Sequence, residues 1–194
     1  SYGTAFRAPI LANQFNPFNG SNIINPNLEA ETSEGFDVGV EQTLLDERIT
    51  FDVTYFYNDV ENQIEFVTLT PFPNFTGEFG NNESVRTQGY EVTLDLRPHP
   101  QFRIQTNYTW TDSLDRTDGS VLAQRPEEVV NVNANWNSSD ERLNVNVNAR
   151  YIGSRFDGGF NPGGDDDELN PMPSHTVWDA GASYAFTPKL EGYV

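Results

Sequence analysis

The chain has 194 residues, no cysteine, and 11 Lys+Arg against 29 Asp+Glu, for a net charge of −18. That balance excludes the basic surface a nucleic-acid partner requires, and the lack of cysteine excludes a disulfide framework and a Cys-based metal site. No apolar run approaches the ~18 residues of a membrane helix, but a membrane β-barrel escapes that test because alternate strand residues face a polar interior.

In chain order, a first strand is expected near 1–7, followed by a long loop over 8–32. Residues 33–44 place Phe36, Val38 and Val40 on alternate positions, and a tight turn at 45–48 follows. In the strand over 48–59, Ile49, Phe51, Val53, Tyr55 and Tyr57 alternate with Thr50, Asp52, Thr54, Phe56 and Asn58, with Phe56 the one exception. A long loop is expected over 60–84, then a strand over 85–97 carrying Tyr90, Val92, Leu94 and Leu96 on one face. After a turn at 98–101, the strand over 101–112 sets Phe102, Ile104, Thr106, Tyr108 and Trp110 against Arg103, Gln105, Asn107, Thr109 and Thr111.

Beyond a loop over 113–127 the alternation is cleanest. Val130, Val132, Ala134 and Trp136 alternate with Asn131, Asn133, Asn135 and Asn137 in a strand over 128–137. A turn at 138–141 leads to 142–153, where Leu143, Val145, Val147, Ala149 and Tyr151 alternate with Asn144, Asn146, Asn148 and Arg150. A loop over 154–176 precedes a strand over 177–187 with Trp178, Ala180, Ala182, Tyr184 and Phe186 on one face, and a ninth strand begins near Leu190. No segment shows a helical period. Period-two alternation marks a strand with two different faces.

Tight turns and long loops alternate strictly, as in an up-and-down meander through a membrane with short turns on one side and long loops on the other; compact soluble domains rarely tolerate four loops of this length. Ten to thirteen residues at ~3.3 Å per residue, tilted ~40°, span roughly 25–33 Å, the height of a bilayer's apolar band. One face carries almost no charge along its middle, while the other is Asn, Thr, Asp, Glu, Gln and Arg, suited to water. Aromatics cluster towards strand ends: Tyr55, Tyr57, Trp110 and Tyr151 on the long-loop side, Phe102, Trp136 and Phe186 on the tight-turn side, as in interfacial girdles. A soluble β-sandwich explains the alternation, but not strand length, loop rhythm and the Asn-rich face together. The expected fold is all-β: an antiparallel meander of about eight to nine long strands, forming an open arc of a transmembrane β-barrel.

The residues also resemble a family. Tyr2-Gly3-Thr4-Ala5-Phe6-Arg7-Ala8-Pro9, then Asn25-Pro26-Asn27-Leu28 with Glu31 and Ser33, are similar to segments of TonB-dependent receptor barrels, with Ala30 where proline is usual. Phe36-Asp37-Val38-Gly39-Val40-Glu41, Tyr57-Asn58-Asp59-Val60 before Ile64, and Arg86-Thr87-Gln88-Gly89-Tyr90-Glu91-Val92 continue the family order. Tyr108-Thr109-Trp110-Thr111-Asp112, Arg125-Pro126 and Tyr151-Ile152-Gly153-Ser154-Arg155 complete it. The resemblance covers essentially the whole chain and is closest to cobalamin and siderophore receptors.

It implies a barrel of roughly 22 strands around an amino-terminal plug, with residues 1–194 as part of the carboxy-terminal half. The plug, the TonB box and the final strand are expected to lie outside this segment. Ser1 opens the chain in place of Met and the last residues read as a strand beginning, so both ends are expected to be cuts. The implied function is part of an outer-membrane active transporter for a scarce nutrient, siderophore-iron or cobalamin. The implied partners are outer-membrane lipid and lipopolysaccharide, the protein's own plug, and TonB. The competing readings are a passive porin-like barrel and a soluble or surface adhesin domain.

Candidate chemical sites are sparse. Asp165, Asp166, Asp167 and Glu168 follow Gly163-Gly164 in a long loop; clustered carboxylates suit Ca²⁺, but the spacing of a dedicated calcium loop is absent and a solvated acidic loop is the simpler reading. Phe15, Phe18, Phe66, Phe72, Phe75, Phe79 and Phe160 lie in long loops, where Phe18, Phe72, Phe75 and Phe160 are candidates to grip an apolar or planar ligand; loop-to-loop packing is the alternative. Asp37, Glu41, Asp52, Glu91, Asp95, Arg103 and Arg150 on the polar face could ion-pair with a plug or simply be solvated. His99 and His175 stand apart, and no nucleophile elbow, phosphate loop or zinc-protease signature occurs. No enzyme activity and no cofactor are expected.

Overall fold

The computed structural model describes residues 1–15, 22–70, 74, 76–157 and 170–194. The strands are β1 (Tyr2–Arg7), β2 (Asn22–Ile23), β3 (Glu31–Leu44), β4 (Ile49–Thr70), β5 (Thr76–His99), β6 (Phe102–Asp115), β7 (Glu128–Asn137), β8 (Leu143–Ile152), β9 (Arg155–Asp157), β10 (Asn170–Met172), β11 (His175–Thr187) and β12 (Leu190–Tyr193), with one short helix, α1 (Leu11–Phe15). The main sheet runs β1-β3-β4-β5-β6-β7-β8-β11-β12, so each long strand lies beside its predecessor in the chain. This is the expected meander, and the sheet is not closed, because β1 and β12 stand at opposite ends of the order. β2 pairs with β5, and β9 pairs with β10 as a separate hairpin.

The strands expected over 128–137, 142–153 and 177–187 appear as β7, β8 and β11 with ends shifted by at most two residues. The segment 60–84 departs from expectation. It is strand over most of its length, because β4 extends to Thr70 and β5 starts at Thr76. The parity of the apolar residues hid this. Up to Tyr57 they sit on odd positions, whereas beyond Asn62 the buried Ile64 and then Phe66 sit on even ones. Asn62 is left-handed, with φ 58°, and a left-handed residue within a strand inserts one position and exchanges the faces downstream. The five-residue α1, the parallel β2 and the β9–β10 hairpin are likewise absent from the alternation, being too short to carry a period.

By internal contacts the chain falls into two units, residues 1–37, 56–88 and 112–122, and residues 38–55, 89–111 and 123–194. The first unit holds the only buried hydrophobic side chains among the described residues, Leu28, Ile64 and Val85. Its β1–β3 pair sets Tyr2 opposite Phe36 and Arg7 opposite Glu31. The second unit has no buried hydrophobic side chain among the described residues; Val40 is 65% exposed and Trp178 70% exposed. A β-sandwich would bury this face against a second sheet. Here the apolar face meets no protein layer.

The turn after β3 is strained. Leu45, Asp46 and Glu47 all have positive φ, at 53°, 53° and 65°, and the turn closes through Arg48 N donating to Leu45 O at 3.3 Å. A left-handed conformation costs a non-glycine residue about 1–2 kcal/mol, of which glycine's greater chain entropy returns part. Leu45→Gly in the full-length protein is therefore expected to raise unfolding stability by about 0.5–1 kcal/mol, measured by denaturant unfolding in detergent. Unchanged or lower stability would contradict the strain.

Candidate functional site

In the second unit the tight turn between β7 and β8 sets the chemistry of two faces. Ser138 Oγ donates to Asp140 Oδ1 at 2.6 Å and accepts from Leu143 N at 2.9 Å, while Glu141 takes a left-handed φ of 57°. The Ser138 hydroxyl, with the Arg142 amide, holds the Asp140 carboxyl below its usual range. This closure fixes Asn137 opposite Asn144, and the register follows: Asn135 faces Asn146, Asn133 faces Asn148 and Asn131 faces Arg150. Between these pairs Trp136 meets Val145, Ala134 meets Val147, Val132 meets Ala149 and Val130 meets Tyr151.

The same parity carries into both neighbours. On β6, Phe102 opposes Trp136, Ile104 opposes Ala134 and Tyr108 opposes Val130. On β11, Trp178 opposes Ala149, Ala180 opposes Val147 and Tyr184 opposes Leu143. Four successive strands thus present one continuous apolar face and one continuous polar face.

The polar face of β7 and β8 is a ladder of carboxamides. Asn133 Nδ2 donates to Asn148 Oδ1 at 2.7 Å, Asn144 Nδ2 to Asn137 Oδ1 at 2.8 Å and to Asn135 Oδ1 at 3.2 Å, and Asn137 Nδ2 to Asn135 Oδ1 at 3.2 Å. Each amide keeps capacity for water, and beyond the ladder Arg150 adds one charge to this face opposite Asn131. β5 and β6 add charge to this face: Arg103 Nε donates to both oxygens of Asp95 at 3.1 Å, and Arg97 approaches the same carboxylate at 3.6 Å.

The apolar face of this unit carries aromatics at both ends. Tyr55 and Tyr90 lie 5.2 Å apart, Tyr90 and Trp110 are stacked at 6.1 Å, and Tyr108 donates its hydroxyl to Glu128 at 3.1 Å. Towards the tight turns, Phe102 faces Trp136 and the rings of Tyr184 and Phe186 meet edge-on at 5.0 Å. Aromatic rows with a polar tip suit the two water–lipid boundaries. The sequence placed Trp110 and Phe102 in these rows but not Tyr90.

The first unit carries loops and buried polar contacts. Glu31 is paired with Arg7 and accepts from Ile64 N at 2.8 Å. Phe36 and Tyr57 are stacked at 5.6 Å, and Tyr57 donates to Asp59, which also pairs with Arg116. Arg86 and Gln88 each donate to Asp112 at 3.0 Å. An open cavity of about 490 Å³ is lined by Thr4, Phe6, Ser33, Glu34, Asp59 and Glu61 among others. Phe66 and Phe79, expected in a loop, stand instead on β4 and β5, where their rings meet edge-on at 5.3 Å.

The ligand candidates Phe18, Phe72, Phe75 and Phe160 and the cation candidates Asp165, Asp166, Asp167 and Glu168 lie outside the described residues. Among the described residues no group of three or more His, Asp or Glu side chains is arranged to hold a metal. Of the polar-face candidates, Asp95 and Arg103 are brought together, Asp37 accepts from the Ser1 hydroxyl, and Arg150 stands between Asn131 and Val177. The Arg86–Asp112 pair escaped the sequence reading. Its signal was present, since Arg86 and Asp112, like Asp95 and Arg103, are equally spaced on either side of His99 in the β5–β6 hairpin. Asp59 and Arg116, 57 residues apart, had no such signal.

A family model described as TonB dependent receptor-like, beta-barrel, matches residues 1–193. The chain is 28% identical over 192 residues to the vitamin B12 transporter BtuB of Vibrio vulnificus, covering 98% of this chain and 28% of that protein. It is 30% identical over 203 residues to the iron-regulated outer membrane virulence protein of Vibrio cholerae, covering 95% of this chain and 30% of the relative. Its fold is similar to that of the ferric enterobactin receptor PfeA of Pseudomonas aeruginosa, with a TM-score of 0.78, 21% identity, and coverage of 98% of this chain and 30% of that one. The chain thus spans under a third of the length of these relatives.

The face assignment is open to a direct test. Val147→Arg in the full-length protein, at the centre of β8 on the apolar face, is expected to cost ~2–4 kcal/mol, and Asn146→Arg much less. Phe51→Arg and Asp52→Arg repeat the comparison on β4. Equal tolerance at both positions of each pair, by denaturant unfolding in bilayers, would contradict the assignment.

Proposed function

The chain belongs to the TonB-dependent receptor-like β-barrel family, and from that premise we propose that it builds part of the channel wall and outer mouth of an outer-membrane active transporter for a scarce nutrient, a ferric siderophore or cobalamin. The observation that carries this reading is the two-faced register of β6, β7, β8 and β11, with apolar residues exposed on one side and an asparagine ladder on the other. Lipid satisfies the first face, and a watery lumen holding a plug satisfies the second. Lipopolysaccharide surrounds the outer end.

In this reading residues 1–194 are one portion of the barrel domain, and the intact protein couples to TonB, which displaces the plug at the expense of the inner-membrane proton gradient. Phe18, Phe72, Phe75 and Phe160 grip the solute at the mouth, a role supported by their aromatic side chains and by the apolar or planar character of such chelates. The work is binding and passage; the relatives are transporters and receptors, and the reading requires no reacting side chain.

A deletion strain complemented with the full-length gene tests it. Growth limited by iron, supplied as a ferric siderophore, or by cobalamin is expected to be restored for one nutrient and only while TonB is present. Restoration without TonB would establish passive diffusion; restoration for neither nutrient would remove both substrate classes.

A further inference from the structure

In the first unit, residues 22–31 run as a strap along the arm formed by the outer parts of β4 and β5. The strap opens on β2, where Asn22 lies beside Gly77 and Ile23 beside Glu78 in parallel register. The Phe66 ring occupies the space a Cβ at Gly77 would need, so a side chain there would displace the ring that packs on Phe79. Asn25 Nδ2 donates to Phe79 O at 2.9 Å, Leu28 is buried, and Glu31 closes the strap on Ile64 N.

Midway stands Asn81. Its Oδ1 accepts from Glu29 N at 2.8 Å, and its Nδ2 donates to Glu29 O at 3.1 Å and to Asn62 O at 2.7 Å. One carboxamide therefore answers both backbone groups of Glu29, as a neighbouring strand would, and also the carbonyl of the left-handed Asn62. Aspartate lacks the two donors, serine has one, and glutamine sets its amide a methylene further out.

We propose that Asn81 is a positioning residue that fixes the strap to the arm, so that both present one preformed surface to the incoming solute. The inference deepens the transport reading and rests on it. The joined elements display Ile23, Ile24 and Leu69, each about half exposed. A surface ordered in advance loses less conformational entropy on binding than one that orders around its ligand. Asn81 touches no solute; it acts through the strap.

The test uses the full-length protein, in outer-membrane preparations for binding and hydrogen exchange and in intact cells for uptake, with a ferric catecholate and cyanocobalamin as probes. Asn81→Ala and Asn81→Asp are compared with the parent and with Asn144→Ala, a control in the asparagine ladder. Loss of the carboxamide's bonds is expected to speed hydrogen exchange over 22–31 by about tenfold, leaving β7 and β8 unchanged. The Kd of the probe bound by the parent is expected to rise by about tenfold, with saturating uptake unchanged. Asn81→Gln, which retains donors and acceptor, recovers part of both effects and supplies a folded variant should the others fold poorly. Unchanged exchange over the strap overturns the proposal, as does faster exchange with an unchanged Kd, which would leave Asn81 a purely structural pin. A parent that binds neither probe overturns the transport reading and the solute-facing role together, while the exchange rates still decide whether Asn81 pins the strap.

Discussion

Side-chain parity is the constraint on which the rest of this structure depends. Successive residues of a strand point to opposite faces, so a shift of one residue in any pairing would send every valine of that strand into water and every asparagine into lipid. Tight turns enforce the correct phase. The Ser138–Asp140 contact fixes Asn137 opposite Asn144, and from that point eight further pairs match like with like. The match continues across β6 and β11, so the two faces are a property of the sheet and not of any single strand.

Among the described residues the apolar face of the second unit meets no protein layer, and an exposed apolar patch marks a membrane or protein contact; the proposed transport role assigns it to lipid. The aromatic rows agree with this, since Tyr90 stacked on Trp110, and Trp136 beside Phe102, place polar-tipped rings at opposite ends of the second unit. The polar face has the complementary logic. Asparagines bond to each other across and along the strands without charge, so they need no counter-ion and remain able to bind water. Charge on the described part of this face includes Asp95 with Arg97 and Arg103 to one side of them, Arg150 opposite Asn131 and Asp179 opposite Asn148.

The first unit follows a different rule. Its polar groups are tied to backbone across long stretches of chain, as with Asn25 on Phe79, Asn81 on Glu29 and Glu31 on Ile64. Backbone groups that no neighbouring strand pairs find partners in this way. Its buried apolar side chains, Leu28, Ile64 and Val85, come from three separate segments, so its stability is tertiary in origin.

The sequence alone determined the strands of the second unit, their two faces, their order and the family, because a period of two over ten residues is a local signal and tight turns leave little freedom in pairing. The same mirror symmetry about a turn made the Asp95–Arg103 pair legible in principle. The tertiary structure decided what no local period encodes. Asn62, with its left-handed backbone, exchanged the faces of β4 and so concealed the long arm from any reading of alternation. The strap over 22–31, the three-bonded Asn81 and the Asp59–Arg116 pair join residues many positions apart. Such contacts depend on where separate strands bring their ends, and that is fixed only when the whole sheet has formed.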